Sequence, residues 1–190
     1  MCEFSLRLSG VARRISVADL DTRFHAKSVS RKEGSAVVGM ATLLDEFKTI
    51  THSLNDAGIE YAVCGGWAMA IHGVPRATID IDLLIRGDDL DSAWRIAKEH
   101  GYDVEGLPLN FADGAIDIRR ISRVHPEEKR LFTIDFLLVT PQLHEVWHKR
   151  ELVEWEEGKT WTVSKAGLIM LKEISGREQD LLDIKELKRK

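Results

Sequence analysis

The chain has 190 residues, of which 44% are hydrophobic and 31% charged, with a formal net charge of −4 and two cysteines. That length and balance suit one domain with a packed interior. They exclude a disulfide framework of the secreted type, and no run approaches the roughly 18 apolar residues of a membrane helix, so a cytoplasmic location is the default expectation.

Residues 1–39 hold seven Lys/Arg against four Asp/Glu, which leaves the remainder of the chain acidic at −7. An acidic body argues against a broad, sequence-independent grip on nucleic acid, which shows as a basic face. The first 39 residues are rich in Ser and Arg and show no sustained apolar period. They are expected to be a poorly ordered extension, with Met40 as a candidate start and residues 40–190 as the folded domain. From Met40, Leu43, Phe47, Ile50 and Leu54 recur at helical spacing until Gly58. Ile59–Cys64 then supplies a first strand.

The most informative stretch runs from Val63 to Ile85. A Gly65-Gly66 turn leads into a small helix and then a strand in which Asp80 and Asp82 alternate with Ile79, Ile81 and Leu83. Residues two apart share a strand face, so Thr78, Asp80 and Asp82 line up together. Two carboxylates on one face repel unless a cation lies between them, and Mg²⁺ takes oxygen ligands of this kind completed by phosphates. A turn without Cβ atoms permits close approach of a ligand to backbone N–H groups. An anion site beside a cation site suits a phosphate that bridges a metal.

Asp88 and Asp89 open a second helix with Leu90, Ala93, Trp94 and Ala97 inward, closed by Gly101. Residues 102–114 read as connection. Two strands, Ala115–Val124 and Leu131–Thr140, flank the turn-like His125–Lys129 segment. Asp135 is the lone charge in the second, and a carboxylate in a buried strand is costly unless paired or bound to metal. It is the preferred third metal ligand. Asp117 competes, although Arg119, Arg120 and Arg123 on its own strand can pair it.

His144-Glu145-Val-Trp-His148 matches the H-E-x-x-H pattern of zinc hydrolases, with Glu154, Glu156 or Glu157 as conceivable third ligands. Against it, the helix is short, since Leu152–Trp155 already alternates as a strand and Thr160–Val163 follows as another. Ser164 caps a helix through Leu168, Leu171 and Ile174, Gly176 breaks it, and a last helix carries Leu181, Ile184 and Leu187, giving a hairpin over 164–189. A bland reading leaves Lys172, Asp180 and Asp183 as solvated or paired charges on that hairpin.

Gly65-Gly66, Ala68, Gly73 and Arg76-x-Thr78-x-Asp80-x-Asp82, together with Leu171-Lys172, Gly176-Arg177, Gln179-Asp180-Leu181 and Asp183-Ile184, resemble the signature of the nucleotidyltransferase superfamily with a polymerase-beta-like core. Within it the look is nearest the AbiEii-like toxin group. The resemblance spans roughly residues 40–187. It implies an α/β (α+β) fold, a mixed sheet of about five strands flanked by helices with a small helical C-terminal part. It also implies transfer of an NMP from an NTP to a hydroxyl, with Asp80, Asp82 and Asp135 as catalytic metal ligands for Mg²⁺ or Mn²⁺. Gly65, Gly66, Thr78 and Lys172 would then bind nucleotide, with Arg76 and Asp180 as further candidates. The acceptor stays open between RNA, protein and a small molecule such as an aminoglycoside or lincosamide, as does a non-catalytic toxin or antitoxin partner role.

Overall fold

The computed structural model describes residues 13–15, 36–124, 131–155 and 158–190. Cys2, the segment His125–Lys129 read as a turn, Glu156 and Glu157 lie outside these, as does most of the expected N-terminal extension. Within that extension, Arg13–Ile15 forms strand β1 and helix α1 begins at Ala36.

The elements follow in order as α1 (Ala36–Asp56), β2 (Tyr61–Val63), α2 (Gly65–Ile71), β3 (Asp80–Ile85), α3 (Leu90–Glu99), β4 (Val104–Glu105), β5 (Leu109–Phe111), β6 (Ile116–Val124), β7 (Leu131–Leu138), α4 (His144–His148), β8 (Glu151–Trp155), β9 (Gly158–Thr162), α5 (Lys165–Ser175) and α6 (Glu178–Arg189). One mixed sheet takes all the strands in the order β1-β8-β9-β2-β3-β7-β6-β4, with β5 also on β6. The expectation of about five strands is corrected to nine among the described residues. The segment 102–114, read as connection, contributes β4 and β5, both antiparallel to β6.

Alternation divides the core. On one face Ile81, Leu83, Ile85, Ile134 and Phe136 pack with Leu43, Phe47, Ile50 and Leu54 of α1 and with Ala93, Ile96 and Ala97 of α3. Phe47 stacks on Trp67 at 4.4 Å between ring centroids, which ties α1 to α2. On the other face Leu84, Ile116 and Leu137 meet Leu143, Val146, Trp147, Leu168, Leu171 and Leu187 from α4, α5 and α6. Ile79 precedes β3 and is 63% exposed, so it does not join the buried alternation that Ile81 begins.

The central pairing is parallel. β3 runs beside β7 with Asp82 opposite Asp135 and Asp80 opposite Thr133. β6 returns antiparallel with Arg120 opposite Asp135. Because register fixes faces, Asp82, Asp135 and Arg120 share the side covered by α5 and α6, whereas Asp117 and Arg119 point to the other side.

Candidate active site

Two glycines shape the turn that faces Asp82. Gly65 has φ +56°, and a Cβ there would lie 1.9 Å from Asp82 Oδ2; a Cβ on Gly66 would lie 2.6 Å from Thr78 Cβ. No other residue fits at either position without displacing these side chains. The Gly66 N–H donates to the Asp82 carboxylate, and Thr78 Oγ1 donates to the Asp80 carbonyl at 3.2 Å. The close approach anticipated from the sequence is therefore made by the chain's own carboxylate and hydroxyl.

The carboxylates crowd one another. Burial, then the charges of Asp135 and Asp80, push Asp82 up from 3.8 to about 6, against the Gly66 hydrogen bond and the Arg76 charge. Asp80 is also raised, by burial and by Asp135, with Arg120 and Arg76 opposing. Asp135, 5% exposed, is covered by Arg120 in a two-pronged pair, Nε to Oδ1 at 2.7 Å and Nη2 to Oδ2 at 2.6 Å. Arg120 is thus not the partner of Asp117, which is held by Arg119, while Arg123 reaches Glu46. Arg120, read from the sequence as a partner for Asp117, is instead the arginine that faces Asp135 in the site. Its signal was available, because pairing the two strand ends, Val124 with Leu131, counts back to Arg120 opposite Asp135.

The helical hairpin roofs this face. Ser164 caps α5 by accepting from Gly167 N, and Gly176 ends it in the left-handed region at φ +66°. Lys172 is 4% exposed, and its Nζ donates to Asp180 at 3.1 Å and to Asp183 at 2.5 Å. Arg177 Nε donates to Asp180 at 2.8 Å, Gln179 to Asp183 at 2.8 Å, and Arg76 Nε to Asp183 at 3.0 Å. Burial raises Asp180, but hydrogen bonds from Arg177, Lys172 and Ser175 outweigh it and bring the group to about 2. Asp183 joins the cluster beside Asp180. Arg76, from the loop before β3, ties the last helix to the aspartate strand.

Between roof and sheet lies a cavity of about 160 Å³, bounded by Gly65, Asp82, Asp135 and Arg120 on the sheet side and by Lys172, Arg177 and Asp180 from the hairpin. The structure brings Gly65, Asp82, Asp135, Lys172 and Asp180 to one cavity, while Asp80, Thr78, Gly66 and Arg76 do not line it. His144 and His148 lie elsewhere, exposed on a five-residue helix, and Glu145 pairs with Lys149 at 2.6 Å. Among the described residues no three metal-ligating side chains converge, there or at the aspartates. No helix among them is long and apolar enough to cross a membrane.

The family described as aminoglycoside-2''-adenylyltransferase matches residues 46–135, a little under half the chain, from α1 through Asp135. Among solved structures, a Thermotoga maritima protein described as a candidate nucleotidyltransferase superposes with a TM-score of 0.55 at 15% identity, covering 78% of this chain and 94% of its own. The enzyme ANT(2'')-Ia, in complex with adenylyl-2''-tobramycin, superposes with a TM-score of 0.52 at 14% identity, covering 77% and 87%. No curated protein matches the sequence.

Proposed function

We propose that the chain, which has the fold of solved nucleotidyltransferases and matches an adenylyltransferase family over residues 46–135, transfers a nucleoside monophosphate from an NTP to the hydroxyl of a small-molecule acceptor, releasing pyrophosphate. The observation that carries this reading is the pairing of Asp82 with Asp135 across β3 and β7, directly beneath the Gly65-Gly66 turn. The family matched over residues 46–135 favours a small acceptor over RNA or protein. The AbiEii-like and toxin–antitoxin readings draw no support from these likenesses.

Asp80 and Asp82 suit a divalent cation such as Mg²⁺ or Mn²⁺. Burial, then the charges of Asp135 and Asp80, hold Asp82 near 6, and a divalent counter-charge would relieve the repulsion. A bound ion would supply charge neutralisation for the triphosphate and the developing oxyanion. The chain's own groups do the remainder. The Gly65-Gly66 turn and Thr78 fix the Asp82 and Asp80 geometry, and Arg177 and Arg120 bring positive charge toward the phosphates. Lys172 holds the roof against the sheet through Asp180 and Asp183. Asp135, at the cavity wall, keeps lone pairs beyond the two that Arg120 fills and takes the acceptor's proton at one of them as the acceptor oxygen attacks the α-phosphorus. The bond from that phosphorus to the β-phosphate oxygen breaks, and pyrophosphate leaves.

Transfer of label from α-labelled NTPs, with Mg²⁺ or Mn²⁺, to a small-molecule panel alongside total RNA and protein extract tests this. Label in the small-molecule fraction that disappears with Asp80→Ala and Asp82→Ala is expected. Label found only in RNA or protein would overturn the acceptor class, and no NTP binding at all would overturn the transferase reading.

A further inference from the structure

The walls of the cavity carry information about the acceptor that the aspartates do not. Resting on the transferase reading above, we infer that the acceptor is an uncharged alcohol or phenol whose body is apolar and about one ring across, rather than a polycationic aminoglycoside.

The charges come first. The cavity is lined by three carboxylates, Asp82, Asp135 and Asp180, and by three cations, Arg120, Lys172 and Arg177. Asp135 is filled by both prongs of Arg120, and Asp180 by Arg177 and Lys172. Asp82 is the carboxylate that the metal requires. An ammonium group entering here would approach Arg120, Lys172 and Arg177 and find each lining carboxylate already paired or required by the metal, which makes its desolvation costly. Several such groups on one ligand multiply that cost.

The remaining lining is apolar. Ile116 and Ile118 of β6, Leu137 of β7, Leu168 and Leu171 of α5, and Leu109 and Phe111 of β5 line the cavity. Leu109, at 40%, and Phe111, at 38% exposure, bring this lining to the solvent side. Side chains of this size left open at a cavity mouth mark a place where an apolar ligand body is covered. Ala112 and Asp113, with φ of 54° and 52°, make the tight turn that returns β5 to β6 and sets Phe111 on this rim.

Direction and size complete the argument. Gly65, Gly66 and Thr78 lie beside β3, and the apolar wall extends the other way across β7, β6 and β5, so phosphates and wall diverge from Asp82 and Asp135. The whole cavity, charged end included, holds about 160 Å³, which limits what it encloses to about one ring, with the rest of the ligand in the open mouth.

The test uses the full chain with 2-naphthol and tobramycin as probes, each titrated by calorimetry with and without a non-hydrolysable ATP analogue and Mg²⁺, and each offered as acceptor to α-labelled ATP. We expect saturable binding of 2-naphthol that persists with the ATP analogue present, label on its hydroxyl, and neither binding nor label with tobramycin. Phe111→Ser, at a partly exposed edge position, should weaken naphthol binding about tenfold, and thermal melting of the same variant checks that it is folded. Tobramycin that binds and displaces naphthol overturns the inference, and so does displacement of naphthol by the ATP analogue, which would give the wall to the nucleobase. Because binding is read without turnover, failure of both probes to take label while naphthol still binds strikes at the transferase reading and leaves the pocket's chemistry standing.

Discussion

Replacing Lys172 with methionine separates two roles for one buried ammonium group. The resemblance to nucleotidyltransferases implies a phosphate contact, whereas the structure has Nζ committed to Asp180 at 3.1 Å and Asp183 at 2.5 Å, with the residue 4% exposed. Removing one partner of a buried pair costs ~3–5 kcal/mol, because the other charge is left uncompensated. Here both carboxylates keep other donors: Asp183 retains Arg76 and Gln179, and Asp180 retains Arg177. The low end, about 3 kcal/mol, is therefore expected, which in a domain of this size lowers Tm by about 6–12 °C. Thermal unfolding by circular dichroism reads this directly. Adding Asp183→Asn to Lys172→Met should restore part of the loss, since the surplus carboxylate goes with it. A variant that melts within 2 °C or so of the parent, with ATP affinity sharply reduced, would refute a structural role and return Lys172 to the phosphates.

Other outcomes are expected from neighbouring contacts. Arg120→Gln releases Asp135, so Mn²⁺ affinity measured by electron paramagnetic resonance should rise several-fold; a fall would mean that the guanidinium does not compete with the cation. Gly65→Ala forces a Cβ against Asp82 Oδ2 at a left-handed φ, and should cost more than about 1 kcal/mol in urea unfolding and weaken Mn²⁺ binding together; unchanged values of both would contradict the packing of the turn. Asp82, raised from 3.8 to about 6, favours the folded protein in its protonated form, so that contribution is full below about pH 4 and is lost as pH rises through 6. Asp82→Asn should accordingly match the parent near pH 4 and exceed it by up to about 3 kcal/mol at pH 8 without metal. A constant difference across that range would argue against the shift.

What could be read from the sequence was governed by how many residues carried each signal. The Asp80–Ile85 strand and the long apolar Leu131–Leu138 strand have enough alternation or length to declare themselves, and both lie where expected. Val104–Glu105 and Leu109–Phe111 are two and three residues long, too short for any period, and they were hidden inside a stretch with Gly and Pro. The demand for glycine at 65 and 66 was legible, but its cause was not, since contact with Asp82 and Thr78 depends on the packing of α2 against β3. Composition favoured Asp135, the lone charge of an apolar strand, over Asp117, without showing which arginine faces which. Parity in the β6–β7 hairpin separates them, because Arg120 shares a face with Asp135 and not with Asp117. The cluster around Lys172 escaped because its members come from a loop and two helices, and Arg76 and Asp183 are 107 residues apart.

That separation bears on how the protein is made. Domains begin to fold from the N-terminal side as the chain emerges from the ribosome at roughly 5–20 residues per second. Asp80 and Asp82 leave about a hundred residues ahead of Asp183, and for that interval the aspartate strand has no roof and Arg76 has no anchor on α6. The cavity is closed only by the final helix described here, so a nascent chain displays its acidic strand for several seconds before it can enclose a substrate. Assembly of the site is therefore a late event in synthesis, and a chain halted within the hairpin would keep most of its sheet while having nothing to hold an acceptor against it.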